Sequence, residues 1–428
     1  MTVSVKTNGH KPRNIVLRLL GPGLVTGAAD DDPSGIATYS QAGAQFGYSL
    51  LWTVFLTTPF MIAIQLISAQ IGRVTGKGLA ANLSQLAPRS IVIAIVSLLV
   101  AANTFNIAAD IGAMGEALYL VMGGLKHEHA LIFAAGSVLL QVFIPYRRYA
   151  PILKFLTLTL FAYVITAFTV KIPWSTALVA ALWPKPTLNL DYFLMVVAVL
   201  GTTISPYLFF WQASQEVEEM TKVKHRIPLR EMRRGGDPEI TRIAVDTTVG
   251  MVFSNAIAFF IILTTAAVLN AGGITNIQTA SQAAEALRPL AGELTFFLFA
   301  LGIIGTGLLA IPVLAGSAAY AVAEAFGWPA TLEAKAPDAV GFYGIIAAAT
   351  IVGFGLGFTS IDPIKMLIWS AVINGIVAVP IMAVMMVIIS KKSLMGRFKA
   401  KRWLLGFGWT GTAIMAVAVI ALIWSSLS

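Results

Sequence analysis

The sequence predicts an all-α polytopic membrane protein with eleven transmembrane helices, and three observations carry that prediction. Of the 428 residues, 57% are hydrophobic and only 11% are charged, against about 25% charged in a soluble globular chain. Mean hydropathy is +0.81. Apolar runs of about 20 residues, the length that crosses a bilayer, recur along the whole chain. Residues 1–14 form a polar, basic tail with no cleavable small-residue site after a brief apolar core, so no signal peptide is expected. Cysteine is absent, which excludes disulfides, thiolate metal ligation and thiol redox chemistry.

Taken in order, the spans are expected at about 15–44, 48–72, 91–122, 129–146, 150–172, 190–217, 241–270, 292–324, 339–358, 364–390 and 403–426. Basic residues fall in alternate connections: Lys6, Lys11 and Arg13 before the first span, Arg73, Lys77 and Arg89 after the second, and Arg147, Arg148 and Lys154 around the junction of the fourth and fifth. "KVKHRIPLREMRRGGDPEITR" follows the sixth and "KKSLMGRFKAKR" the tenth. By the positive-inside rule the N-terminus is cytoplasmic, and eleven spans put the C-terminus outside. The expected location is the plasma (inner) membrane. The net charge of +9 is therefore topological, and the basic loops face anionic lipid. No nucleic-acid partner is expected, because no soluble domain exists to carry one.

The first span holds "GAADDDPSGIATYSQAG". One buried carboxylate costs on the order of 3 kcal/mol on insertion scales, so three in succession require compensation. Pro33 removes a backbone donor, and Gly27, Ser34 and Gly35 weaken the helix around it, which predicts an interruption between Asp30 and Gly35. The sixth span repeats the design: Gly201, Thr202, Thr203 and Ser205 immediately precede Pro206. Interrupted spans at corresponding positions point to a transporter of two inverted five-helix repeats, a LeuT-like arrangement with repeat one at about 15–172, repeat two at about 190–390 and an extra span at about 403–426. Freed carbonyls and half-helix ends then meet at mid-membrane around a cavity, where the aspartates face water and a cation.

The stretch Gly21 to Trp52, "GPGLVTGAADDDPSGIATYSQAGAQFGYSLLW", resembles the first two spans of the NRAMP family of divalent metal transporters, whose first span carries an Asp-Pro-Gly-Asn core followed by a comparable "AT..QAG...GYSLLW" run. The resemblance extends over nearly the whole chain and implies a divalent metal cation as transported substrate, with no resident cofactor. It places the family's metal-binding aspartate on Asp32 and its proline on Pro33. The family's asparagine ligand falls on Gly35, and its Met-Pro-His in span six on Ser205, Pro206 and Tyr207, so the thioether is missing. The implied ligands are the Asp32 carboxylate, the Ala29 and Thr202 carbonyls, and Ser205 by hydroxyl or through water. An all-oxygen set suits Mg2+ and Mn2+ better than soft transition metals. Gly35 and Ser205 are expected to widen the cavity for a partly hydrated ion, as Mg2+ requires. This departure resembles the NRAMP-related magnesium transporters. Asp30 and Asp31 cannot share the cavity with Asp32 if helix persists between them; one of the pair lines the entrance or meets a polar group. Asn255 and Asn374, at mid-depth, read as interhelical hydrogen bonds.

Typical family members carry a proton route in span three. In "VAANTFNIAADIGAMGEALY" the first acid of that route falls on Asn103, the intervening aspartate is kept as Asp110, and the second acid falls on Ala113, with Glu116 one turn later. Span nine has no charge. Asp110 and Glu116 read as buried polar contacts, and uptake is expected to be weakly or not proton-coupled. A divalent ion entering down a 100 mV potential, inside negative, gains 2 × ~2.3, or ~4.6 kcal/mol. The alternatives are a proton-coupled Mn2+/Fe2+ symporter and an organic-solute symporter, though the aspartates would repel a substrate carboxylate. An enzyme is not expected: His10, His127, His129 and His225 lie in the tail and loops, and "KHEH" reads as a short solvated loop. "QEVEE", Gln215 to Glu219, either attracts cations at the inner mouth or forms solvated salt bridges to Lys222 and Lys224.

Overall fold

The computed structural model describes residues 21–144, 148, 152, 155–187, 189–221, 227–232, 235–358 and 362–427. Lys6, His10, Lys11, Arg13, Arg147, Lys154, Lys222, Lys224 and His225 lie outside the described residues. The described residues are helical throughout, without strands, and each expected span coincides with a helix.

Span one is two half-helices, α1 (Pro22–Asp30) and α2 (Pro33–Phe46). Then come α3 (Leu51–Thr75), α4 (Arg89–Met122), α5 (Lys126–Phe143) and α6 (Phe161–Thr169). A 120° bend after α6 leads into α7 (Trp174–Leu182), a short helix that the hydropathy pattern did not separate from its loop. Span six is again double, α8 (Leu190–Thr203) and α9 (Pro206–Thr221). The remaining spans are α10 (Asp237–Thr265), α11 (Thr295–Phe326), α12 (Val340–Leu356), α13 (Pro363–Ser390) and α14 (Arg402–Leu427). Among the described residues seven helical stretches, among them the broken pair over Leu190–Thr221, are long and apolar enough to cross a bilayer. Helices α5 and α12, at 18 and 17 residues, are among the shorter spans.

Proline alone does not break these helices, since Pro59, Pro312 and Pro380 sit inside α3, α11 and α13. At the two breaks the residue before proline carries a short polar side chain that satisfies the freed backbone. Asp32 is extended (φ −71°, ψ 172°), as a residue preceding proline prefers, and its carboxylate accepts from the Gly35 amide at 2.7 Å. Pro33 thereby becomes the first residue of α2, where its missing N–H costs nothing. In span six the Ser205 hydroxyl reaches the Gly201 and Thr202 carbonyls, at 2.9 and 2.7 Å, which α8 leaves without helical partners.

The two breaks are brought together by close backbone packing. A Cβ on Gly27 would lie 2.3 Å from the Gly250 carbonyl oxygen, so α1 and α10 touch backbone to backbone. The "KHEH" segment is a correction: Lys126 to His129 form the first turn of α5 rather than a loop, and His127 stacks on Phe358 with ring centres 5.2 Å apart.

Candidate metal-transport site

The centre of the site is Asp32. One carboxylate oxygen caps α2; the other accepts from the Asn106 side-chain amide of α4 at 3.2 Å and lies 3.3 Å from the Tyr207 hydroxyl of α9. The Tyr207 hydroxyl also lies 3.1 Å from the Ala29 carbonyl, near the end of α1. One phenol thus spans the two expected oxygen donors, Ala29 and Asp32, and touches both broken spans. Asn106 is fixed in turn by Ser370 of α13, which donates to its amide oxygen at 3.0 Å and shares a 2.8 Å hydrogen bond with Ser34. The carboxylate is held from three helices, α2, α4 and α9, with α13 acting through Asn106.

Ser205 and Thr202 flank the break in span six. Their hydrogen bond is to each other, and the hydrogen bonds of Asp32 run to Gly35, Asn106 and Tyr207 instead. Packing around Gly35 is close in this conformation. A Cβ on Gly35 would sit 3.2 Å from Thr202 Oγ1 and 3.3 Å from the Asp30 carbonyl, so the glycine serves close approach of the two broken spans. Asp32, Ser205 and Tyr207 are each 1% exposed, and the centre is sealed from both faces.

Asp30 and Asp31 turn away from Asp32 toward α10. The Ser254 hydroxyl lies 2.5 Å from an Asp30 oxygen and 3.2 Å from an Asp31 oxygen; the other oxygen of each has no hydrogen-bond partner. Both are fully buried, so neither lines an open entrance. In α4, Asn103 donates to the Leu314 carbonyl at 2.9 Å and to Ser317 at 2.7 Å, tying α4 to α11. Asp110 lies within electrostatic reach of Asp32 and close to the Ser34 backbone amide. Glu116 pairs with Lys126 at 2.9 Å. Asn255 bonds Thr58 on α3 at 3.0 Å, an interhelical contact, whereas the Asn374 side-chain oxygen is buried without a partner. Among the described residues no three Asp, Glu or His side chains converge as a metal cage. A cation at Asp32 would therefore be met by one carboxylate together with neutral oxygens.

The far end of α1 is clamped. Asp246 of α10 accepts from the Gly21 and Gly23 amides, both at 2.8 Å, and from Leu24 at 3.2 Å, placing a carboxylate on a helix N-terminus. One turn earlier Arg242 donates to Glu216 of α9 at 2.6 Å. Glu218 accepts from the Tyr320 hydroxyl and the Leu332 amide, each at 2.6 Å. Two of the three "QEVEE" acids are thus corrected from solvated residues to interior ones: Glu216 is 0% and Glu218 4% exposed, while Glu219 is half-buried.

Asn106 and Ser254 escaped the sequence reading. Asn106 stands one helical turn before Asp110, on the same face of α4, and that i, i+4 polar pair in an apolar span is the signal that marks it.

Residues 23–425 match the family model described as "Natural resistance-associated macrophage protein-like", Nramp. The chain belongs to the Nramp family. Members of this family are membrane transporters, not enzymes. The Nramp chain is 27% identical over 420 residues to the divalent metal cation transporter MntH of Klebsiella pneumoniae subsp. pneumoniae, covering 96% of this chain and 94% of that one. It is 29% identical over 311 residues to MntH of Yersinia enterocolitica, covering 71% and 72%. Its fold is similar to that of the Eremococcus coleocola manganese transporter, with TM-score 0.71 at 16% identity over 97% of this chain and 88% of that one. The transporter MhsT, solved with L-phenylalanine, gives TM-score 0.57 at 15% identity over 94% and 98%. The LeuT-like arrangement expected from the two breaks is the fold observed.

Proposed function

We propose that this Nramp-family protein carries divalent metal cations into the cytoplasm through the Asp32 centre, with Mg2+ preferred and Mn2+ also accepted. It sits in the plasma (inner) membrane with its N-terminus cytoplasmic and its C-terminus outside. The observation that supports the reading is the chemistry around Asp32. Carboxylate, Ala29 carbonyl and Tyr207 phenol are hard donors, and the position where the family places a thioether holds Ser205. Hard oxygens favour Mg2+ and Mn2+ over softer ions. The ion enters as substrate when the seal over the site opens, with Asp32 supplying the charge and the half-helix carbonyls completing its shell.

Binding calorimetry with Mg2+, Mn2+ and Ca2+ tests this. Asp32→Ala should abolish binding, and Ser205→Met should improve Mn2+ or Cd2+ relative to Mg2+. An unchanged ranking in the Ser205→Met protein would refute the softness argument.

A second reading, proton-coupled Mn2+ or Fe2+ symport, is favoured by the manganese transporter among the similar structures and by Asp110, a buried carboxylate near Asp32. Uncoupled movement driven by membrane potential is our first reading, because Asn103 and Ala113 occupy the places of the route's two acids. Proteoliposomes carrying an internal pH dye separate the two: metal-driven acidification would overturn the uncoupled reading. Organic-solute symport is disfavoured, since Asp32 would repel a substrate carboxylate.

A further inference from the structure

We propose that the groove between α3, α10 and the start of α14 binds an anionic phospholipid from the leaflet on the side of the 391–402 loop. The groove has a volume of about 630 Å³, within the range of pockets that hold a small ligand. Its walls are apolar: Leu66 of α3, Ala244, Val245 and Val249 of α10, and Leu404 of α14. Val245 and Val249 are 42% and 44% exposed, so this wall belongs to the lipid-facing side of α10.

Charge gathers at one rim. Arg397, Lys399 and Lys401 line the groove, against Asp237 as the single carboxylate in the lining. Arg397 is oriented by a hydrogen bond to the Gly235 carbonyl and lies 4.7 Å over the Phe398 ring. Trp403 stands beside the cations, 53% exposed, as aromatic side chains do at the headgroup level. A purely apolar occupant would leave the rim unused, and a free anion would leave the Val and Leu wall bare. A phosphate-bearing headgroup on acyl chains meets both, and basic pockets between helices bind such headgroups.

The placement ties the groove to the transport core. Ala244, Val245 and Val249 share two turns of α10 with Asp246 and Gly250, which hold α1 on the neighbouring face. A bound lipid braces the helix that clamps the half-helix.

The test uses the full-length protein stripped of lipid, followed by native mass spectrometry and thermal melting. The probes are dioleoyl phosphatidylglycerol, dioleoyl phosphatidylcholine and inorganic phosphate. Phosphatidylglycerol should bind more tightly than phosphatidylcholine and raise the melting temperature more, and phosphate should do neither. Lys399 and Lys401 are exposed, so Lys399→Ala with Lys401→Ala should fold normally. That variant should weaken phosphatidylglycerol binding about 25-fold, at roughly fivefold per charge, and leave phosphatidylcholine unchanged. Val245→Trp, which fills the apolar wall, should weaken both lipids. Equal binding of the two lipids, indifference to the lysine pair, or full competition by inorganic phosphate would each overturn the proposal.

Discussion

Replacing Asp246 by Asn should release the N-terminal half of the first span. Two oxygens of Asp246 receive three amides from the start of α1, at 2.8, 2.8 and 3.2 Å. Asparagine keeps one acceptor and turns an NH2 toward an amide that needs an acceptor. One charge-assisted hydrogen bond is lost, about 1.5–3 kcal/mol, and so is the charge on the helix N-terminus, about 0.3–1 kcal/mol. The total of about 2–4 kcal/mol corresponds to a shift of about 30- to 1000-fold in the balance between docked and released α1. Arg242, whose Nη1 lies 3.1 Å from where a Gly21 Cβ would be, adds repulsion once the carboxylate is gone. The native chain has no cysteine, so Thr26→Cys, a position fully buried in α1, gives a single label site. Its reaction rate with a polar maleimide should rise at least tenfold on adding Asp246→Asn. A change below twofold, with the protein still folded, would refute the clamp.

Arg242→Ala should cost about 3–5 kcal/mol, because Glu216 is left buried and charged without its partner; adding Glu216→Gln should restore most of the melting temperature. Gly27→Ala should destabilise by about 1–3 kcal/mol through overpacking, since its methyl would meet the Gly250 carbonyl. An unchanged melting curve for Gly27→Ala would show that α1 and α10 separate without cost.

The sequence by itself determined the class, the span positions and the two breaks. Hydrophobic length is a local property that a bilayer reads directly, and Asp-Pro-Ser-Gly is a complete helix start within four residues: cap, proline at the first turn, and an amide for the carboxylate to receive. Pro59, Pro312 and Pro380 lie in unbroken helices, and Pro59 follows Thr58, so a proline after a short polar residue does not by itself mark a break.

Tertiary structure alone decided which groups meet Asp32. Asn106 and Tyr207 reach it from helices 74 and 175 positions away in the chain, and Ser205, adjacent to the break, turns its hydroxyl to its own helix end. The same holds for Asp30 and Asp31, whose direction is set by Ser254 on α10, and for Glu216 and Glu218, polar in sequence yet interior once Arg242 and Tyr320 receive them. A backbone break follows from neighbouring residues, whereas a polar side chain in hydrocarbon settles on whichever partner helix packing brings within hydrogen-bond distance, and no local pattern encodes that partner.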